Sequence, residues 1–114
     1  MKFYHNPRCS KSRQSLQILQ DNNADIEIVE YLKTNPTKQE ITEIVKKLGM
    51  SPLELIRKGE ADFKDNFKGK DLSDEQWIDA MVRFPKLMER PIFVKGDKAV
   101  IGRPPEKVLE LYGA

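Results

Sequence analysis

Two apolar runs, Phe3-Tyr4 and Ile26 to Tyr31, flank a stretch whose apolar residues recur at helical spacing, and that order leaves few folds open. Lys2 to His5 reads as a strand and Asn6-Pro7 as a turn. Roughly Ser10 to Asn22 reads as a helix carrying Leu16, Ile18 and Leu19, and Ile26 to Glu30 as a second strand. Asp21-Asn22-Asn23 ends the helix. Ile26 and Ile28 alternate with acidic residues, and Val29 and Tyr31 complete the apolar edge. A strand, helix and strand of this length form a βαβ unit with parallel strands and a right-handed crossover.

The middle of the chain is helical and carries three start signals. Thr37-Lys38-Gln39-Glu40 is a capping box, in which hydroxyl and carboxylate each satisfy an orphan backbone N–H. Behind it Ile41, Ile44, Val45 and Leu48 share one helical face, and Gly49 stops the run. Ser51-Pro52-Leu53-Glu54 reads as a second box with proline at the first helical position, followed by Leu55, Ile56 and Arg57. Ser73-Asp74-Glu75-Gln76 is the third, with Trp77, Ile78, Met81 and Val82 facing inward. Lys58 to Asp71 is polar, holds Gly59 and Gly69, and reads as a mobile loop anchored by Phe63 and Phe67.

The last third returns to sheet. Pro91 to Val94 and Ala99 to Ile101 are β-rich runs joined through Lys95-Gly96-Asp97-Lys98, a hairpin signal. Pro104-Pro105-Glu106 then opens a helix with Val108, Leu109 and Tyr112 inward and Gly113 as its stop. The order βαβ, helices, ββα defines an α/β chain. It is the thioredoxin/glutaredoxin-like plan, one mixed sheet with a central helical insertion over about 37–88. All of 1–114 is expected to form a single domain, and one core accounts for the apolar positions, so a monomer is expected.

The chain has one cysteine, Cys9, placed where the first strand turns into the first helix. Unpaired N–H groups and the positive end of the helix dipole favour an anion there, whether a thiolate or a bound oxyanion. Arg8, Lys11 and Arg13 add positive charge. A lone cysteine is often just a small buried hydrophobe. A turn proline and three cations around it argue instead for a reactive thiol.

Charge and composition exclude several classes of function. A net charge of +2 with no polybasic block gives nucleic acid no footprint. No apolar run approaches the roughly 18 to 20 residues that cross a bilayer, and no secretory signal opens the chain. One cysteine and one histidine cannot supply a usual metal-ligand set, so no metal is expected; no bound cofactor is expected either. One cysteine makes no internal disulfide, which points to a reducing, cytoplasmic setting.

His5-Asn6-Pro7-Arg8-Cys9-Ser10-Lys11-Ser12-Arg13, Tyr31-Leu32, Leu55-Ile56-Arg57-Lys58, Glu89-Arg90-Pro91-Ile92 and Gly102-Arg103-Pro104 resemble the signatures of the ArsC family, the glutaredoxin-coupled arsenate reductases. The resemblance runs from Phe3 to about Leu111. It implies that Cys9 is the nucleophile, that His5 helps hold the thiolate, and that Ser12 supports it. It also implies that Arg57, Arg90 and Arg103 bind the arsenate oxyanion and its reduced products, and that Pro91 is like the cis-proline facing the reactive cysteine in thioredoxin-like folds. Glutathione would be the co-substrate, and glutaredoxin would clear the mixed disulfide on the cysteine.

Chemistry makes these roles plausible independently. An anionic thiolate must attack an anionic oxyanion, and guanidinium forks offset that repulsion while fixing orientation. Arg90 and Arg103 precede prolines, which marks extended or turn positions at the ends of the sheet. The competing reading of each arginine is a solvated surface charge, and that of His5 is a satisfied core histidine. A protonated His5 would lower the thiol pKa, and its loss would raise it. Arg13, in the first helical turn, reads as a packing and solvation residue. Reducing As(V) to As(III) oxidises two thiols, and this chain holds one, so the second comes from outside.

Three other readings stand beside this one. A low-molecular-weight phosphatase loop needs an arginine at the position of Ser15, and Arg13 comes too early for it. Spx-type transcription factors are similar in fold and length but carry a Cys-x-x-Cys switch, and here Ser12 stands in place of the second cysteine. A thiol oxidoreductase of the same family with another substrate is the third. Arg8, Ser10 and Lys11 depart from the smaller, less basic residues often beside the cysteine in established arsenate reductases, and the chain ends at Ala114 without their longer tail.

Overall fold

The structure, a computed structural model, describes residues 1–113. Two compact units make up the chain, one formed by Met1–Thr34 with the segment from Arg90 onward, the other by Asn35–Glu89.

The first unit begins with β1 (Lys2–Tyr4), α1 (Ser10–Asp21), β2 (Glu27–Val29) and a short α2 (Tyr31–Thr34). β1 and β2 pair in parallel, with Phe3 opposite Ile28, so the expected βαβ unit forms. Tyr31 ends the apolar edge as the buried first residue of α2. Ile28, on the outermost strand, is 44% exposed.

The second unit holds α3 (Lys38–Leu48), a 3-10 turn at Pro52–Leu55, α4 (Ala61–Asn66), α5 (Asp74–Arg83) and another 3-10 turn at Pro85–Leu87. Both outer capping boxes form. The Glu40 N–H donates to Thr37 Oγ1 at 3.1 Å and the Thr37 N–H to Glu40 Oε1 at 3.3 Å. The Gln76 N–H donates to Ser73 Oγ at 3.2 Å and the Ser73 N–H to Gln76 Oε1 at 2.9 Å. Gly49 closes α3 in the left-handed conformation, φ +69°, which glycine adopts at no steric cost.

The Ser51 box does not cap an α-helix. Its side chain makes no capping bond, the turn is 3-10, and the chain straightens at Ile56 to bridge Met88 in an antiparallel contact. Lys58 to Asp71 is not a loop throughout, because α4 occupies its centre. Phe63 and Phe67 stand one helical turn apart and both reach Trp77, with ring centroids 6.1 and 5.9 Å away. Phe67 also meets the edge of Phe84 at 5.8 Å. Those aromatic contacts order a polar run that has little helical patterning of its own.

The chain then returns to the first unit with β3 (Ile92–Lys95), β4 (Lys98–Ile101) and α6 (Lys107–Tyr112). The sheet order is β2-β1-β3-β4, with β3 antiparallel to both β1 and β4. This is the mixed α/β sheet anticipated for a thioredoxin/glutaredoxin-like fold. Phe3 and Phe93 sit opposite each other on β1 and β3 and, with Leu19 and Val108, form the fully buried centre. Removing side chains of this size from water contributes about 1.5 to 3 kcal/mol each. Leu16, Ile18, Ala24, Ile26, Val100, Leu111 and Tyr112 pack around them.

Leu109 does not face inward as expected and is 37% exposed. On α6 the inward stripe is Val108, Leu111 and Tyr112, at i, i+3 and i+4, and Leu109 falls off that face. The Lys95 ammonium closes the end of α6 by donating to the Tyr112 carbonyl at 2.8 Å.

Candidate active site

The site is built where β1 runs into α1. The His5 N–H donates to the Val29 carbonyl at 2.8 Å, carrying the β1–β2 ladder one residue past the strand and fixing the imidazole at its C-terminal end. The chain then turns. The Asn6 carboxamide oxygen accepts from the Arg8 N–H and the Asn6 carbonyl from the Cys9 N–H, each at 3.0 Å. Arg13 reaches back from the first helical turn, and its Nη1 donates to the Pro7 carbonyl at 2.8 Å. Its part in the site is thus to brace the turn, in line with the packing role expected of it.

Cys9 is the N-cap of α1, extended at φ −93° and ψ 122°, and its carbonyl accepts the first helical bond from the Arg13 N–H at 3.0 Å. The thiol is half-buried. Burial is the largest single influence on it and pushes its pKa up. The Ser12 main-chain N–H, hydrogen bonding from the Arg90 side chain, the Arg103 charge and the Lys11 main-chain N–H act the other way, and together they hold the pKa below that of an ordinary thiol.

Ser12 and His5 are both buried and joined to each other, with Ser12 Oγ 2.7 Å from His5 Nδ1. The same oxygen accepts from the Asn6 N–H at 3.0 Å. The Ser12 hydroxyl is therefore engaged on the turn, and it is the Ser12 main-chain N–H that acts on the sulfur. His5 has a lowered pKa, chiefly from burial, with the Arg13 charge adding to the shift and Glu30 opposing it. A neutral imidazole brings no charge to the thiolate, so the lowering of the thiol pKa that a protonated His5 would cause is absent at neutral pH. The contact runs from Ser12 O–H to a bare Nδ1, or from Nδ1–H to Oγ, according to tautomer.

Arg90 and Arg103 enter from the far end of the chain, each directly before a cis-proline. The Arg90–Pro91 bond has the cis form anticipated at Pro91, and Arg103–Pro104 is cis as well, which nothing in the sequence reading singled out. Arg103 Nε donates to the Arg90 carbonyl at 2.8 Å, while Nη2 lies 3.4 Å from Cys9 Sγ. The first unit thus gathers Cys9, His5, Ser12, Arg90 and Arg103.

Arg57 belongs to the second unit. Its main-chain N–H donates to the Leu87 carbonyl at 2.7 Å, and its guanidinium is shared between Glu60 at 3.5 Å and Glu89 at 3.3 Å. Arg8 and Lys11 point into solvent. No group of three or more His, Cys, Asp or Glu side chains is arranged to hold a metal ion among the described residues. No helix among them is long and apolar enough to cross a membrane.

Two further residues shape the site and were missed in the sequence. Ser15 is fully buried on α1, and Gly102 lies against it directly before Arg103. The available signal was a second serine on the inward stripe of α1, three residues after Ser12 and four before Leu19.

Residues 4–111 match the ArsC family. The chain is 50% identical to YfgD, an uncharacterized protein of Escherichia coli strain K12, over 99% of this chain and 97% of that one. It is 41% identical to an arsenate reductase of Haemophilus influenzae, over 96% of each. Among solved structures, an arsenate reductase from Vibrio cholerae superimposes with a TM-score of 0.90 at 39% identity, covering 96% of this chain and 97% of that one.

Proposed function

The chain belongs to the ArsC family, and from that premise we propose that it reduces arsenate to arsenite through Cys9, drawing on glutathione and glutaredoxin in a cytoplasmic setting. The observation that carries the reading is the Arg103 guanidinium set 3.4 Å from a sulfur whose pKa is lowered.

The Cys9 thiolate attacks arsenic and forms a sulfur–arsenic bond as an arsenate hydroxyl takes up a proton from solvent and leaves as water. Arg103 and Arg90 balance the charge of two anions brought together. The main-chain N–H groups at the start of α1 favour the anion on the same side. Ser12 and His5 keep the turn closed and so hold the sulfur in its extended N-cap position.

A glutathione thiolate then attacks the Cys9 sulfur. A sulfur–sulfur bond forms, the sulfur–arsenic bond breaks, and its electron pair stays on arsenic, which leaves as arsenite. Cys9 is left as a mixed disulfide with glutathione. A glutaredoxin thiolate takes the glutathionyl group and releases the Cys9 thiolate. The two electrons come from Cys9 and glutathione in the chemical step, and glutaredoxin restores the start.

The test is arsenate-dependent NADPH consumption coupled through glutathione, glutathione reductase and glutaredoxin. Turnover is expected with the native chain, and none with Cys9→Ser or without glutathione. Turnover by Cys9→Ser would remove the sulfur from the mechanism, and turnover without an external thiol would break the electron count.

A further inference from the structure

Arg103 reaches the sulfur from a loop that has to be held in place, and α1 holds it at one residue. Ser15 lies in the second turn of the helix whose N-cap is Cys9. Its hydroxyl donates to the Pro105 carbonyl at 3.1 Å, across 90 positions of sequence. On its other side it lies against Gly102. A Cβ built there would overlap Ser15 Oγ and come within 2.8 Å of Pro91 Cγ. The Gly102 N–H donates to the Pro91 carbonyl at 3.0 Å. Ser15 therefore grips the Arg103 loop at both ends, by contact before the arginine and by a hydrogen bond after it. Both Ser15 and Gly102 have to be small for the loop to come this close.

We propose that Ser15 is a positioning residue, fixing the Gly102–Pro105 loop to α1 so that the Arg103 guanidinium is set against the Cys9 sulfur. One rigid helix then determines both partners of the contact, the thiol at its N-cap and the arginine through Ser15. The proposal rests on reading Cys9 as the nucleophile, but it requires nothing of the substrate. The charged groups acting on the sulfur are Arg90 and Arg103, and His5 is neutral behind Ser12.

The test follows the ultraviolet absorbance of the thiolate against pH, kept below the range near pH 10 where the three tyrosines ionise, so that the signal reports the one cysteine, Cys9. Ser15→Ala leaves the Pro105 carbonyl without its donor and is expected to raise the midpoint. In the coupled assay KM for arsenate rises about three- to tenfold, the size of one neutral hydrogen bond. Gly102→Ala presses the loop from the opposite side and should raise the midpoint as well. Because Ser15 acts through Arg103, Ser15→Ala in an Arg103→Ala background should add no further shift.

An unchanged midpoint in both Ser15→Ala and Gly102→Ala would overturn the proposal, as would an equal rise with and without Arg103. If the native chain shows no arsenate turnover while the Arg103-dependent shift persists, the substrate reading fails and the positioning role stands.

Discussion

Arg103 Nη2 lies 3.4 Å from Cys9 Sγ, although 94 positions separate the two residues in the chain. One arginine thus carries a hydrogen bond and a charge to the group proposed to react, while its Nε is tied to the Arg90 carbonyl. Arg103→Ala is expected to raise the pH midpoint for Cys9 alkylation and to lower kcat/KM for arsenate about 10- to 100-fold, the worth of a hydrogen bond to a charged group. Arg103→Lys keeps the charge without the fork and should recover only part of the loss. Equal activity in Arg103→Ala would take the residue out of the site.

The neutral His5 gives stability a defined pH dependence. Its pKa in the folded chain lies below the ordinary 6.5, so the unfolded chain takes up the proton first. Stability is therefore unaffected by this group above about pH 6.5 and falls as pH drops from there toward the folded-state pKa. Urea unfolding at a series of pH values should show that decline in the native chain and a flatter profile in His5→Gln. A variant with the native slope would place the titrating group elsewhere.

Arg57 tests whether the second unit contributes to substrate binding. Its charge is not among the influences on the Cys9 thiol. Arg57→Ala is expected to raise KM for arsenate while leaving the thiolate midpoint where it is. Removing the guanidinium also takes from Glu60 and Glu89 the partner they share. An unchanged KM would restrict the oxyanion site to Arg90 and Arg103.

Thr37 separates scaffold from chemistry. Thr37→Ala removes one half of the α3 capping box and is expected to cost about 1 kcal/mol of stability in urea unfolding. The thiolate midpoint should not move, because no group acting on the sulfur belongs to α3.

Features governed by local physics were readable from the residues. The Thr37 and Ser73 boxes, the Gly49 stop and the Gly96-Asp97 turn each involve a few neighbouring residues, and each formed where anticipated. So did the βαβ and ββα halves of the sheet, whose apolar runs have strand length and spacing. The misreadings arose where distant residues decide. Ser51 carries a capping pattern, yet the chain straightens after one turn because Ile56 bridges Met88. Lys58 to Asp71 looked polar and unstructured, but contacts of Phe63 and Phe67 with Trp77 impose a helix.

At the site, the positions of Cys9, Arg90 and Arg103 relative to strands, turns and prolines could be read from the chain. The neutrality of His5 could not, since it depends on burial and on the tie to Ser12. Nor could the direction of the Ser12 hydroxyl, because a helical N-terminus offers both side chain and main chain to the sulfur. The contact between Ser15 and Gly102 joins two unremarkable small residues from opposite ends of the first unit, and nothing local to either one announces the other.

The most direct measurement is the titration of the Cys9 thiolate in the native chain, compared with a free cysteine and with Arg103→Ala. An oxyanion reductase working through this sulfur needs the anion already present near neutral pH. The predicted result is a midpoint below that of free cysteine, displaced upward when Arg103 is removed. A native midpoint at or above the free thiol, unmoved by Arg103→Ala, would contradict it.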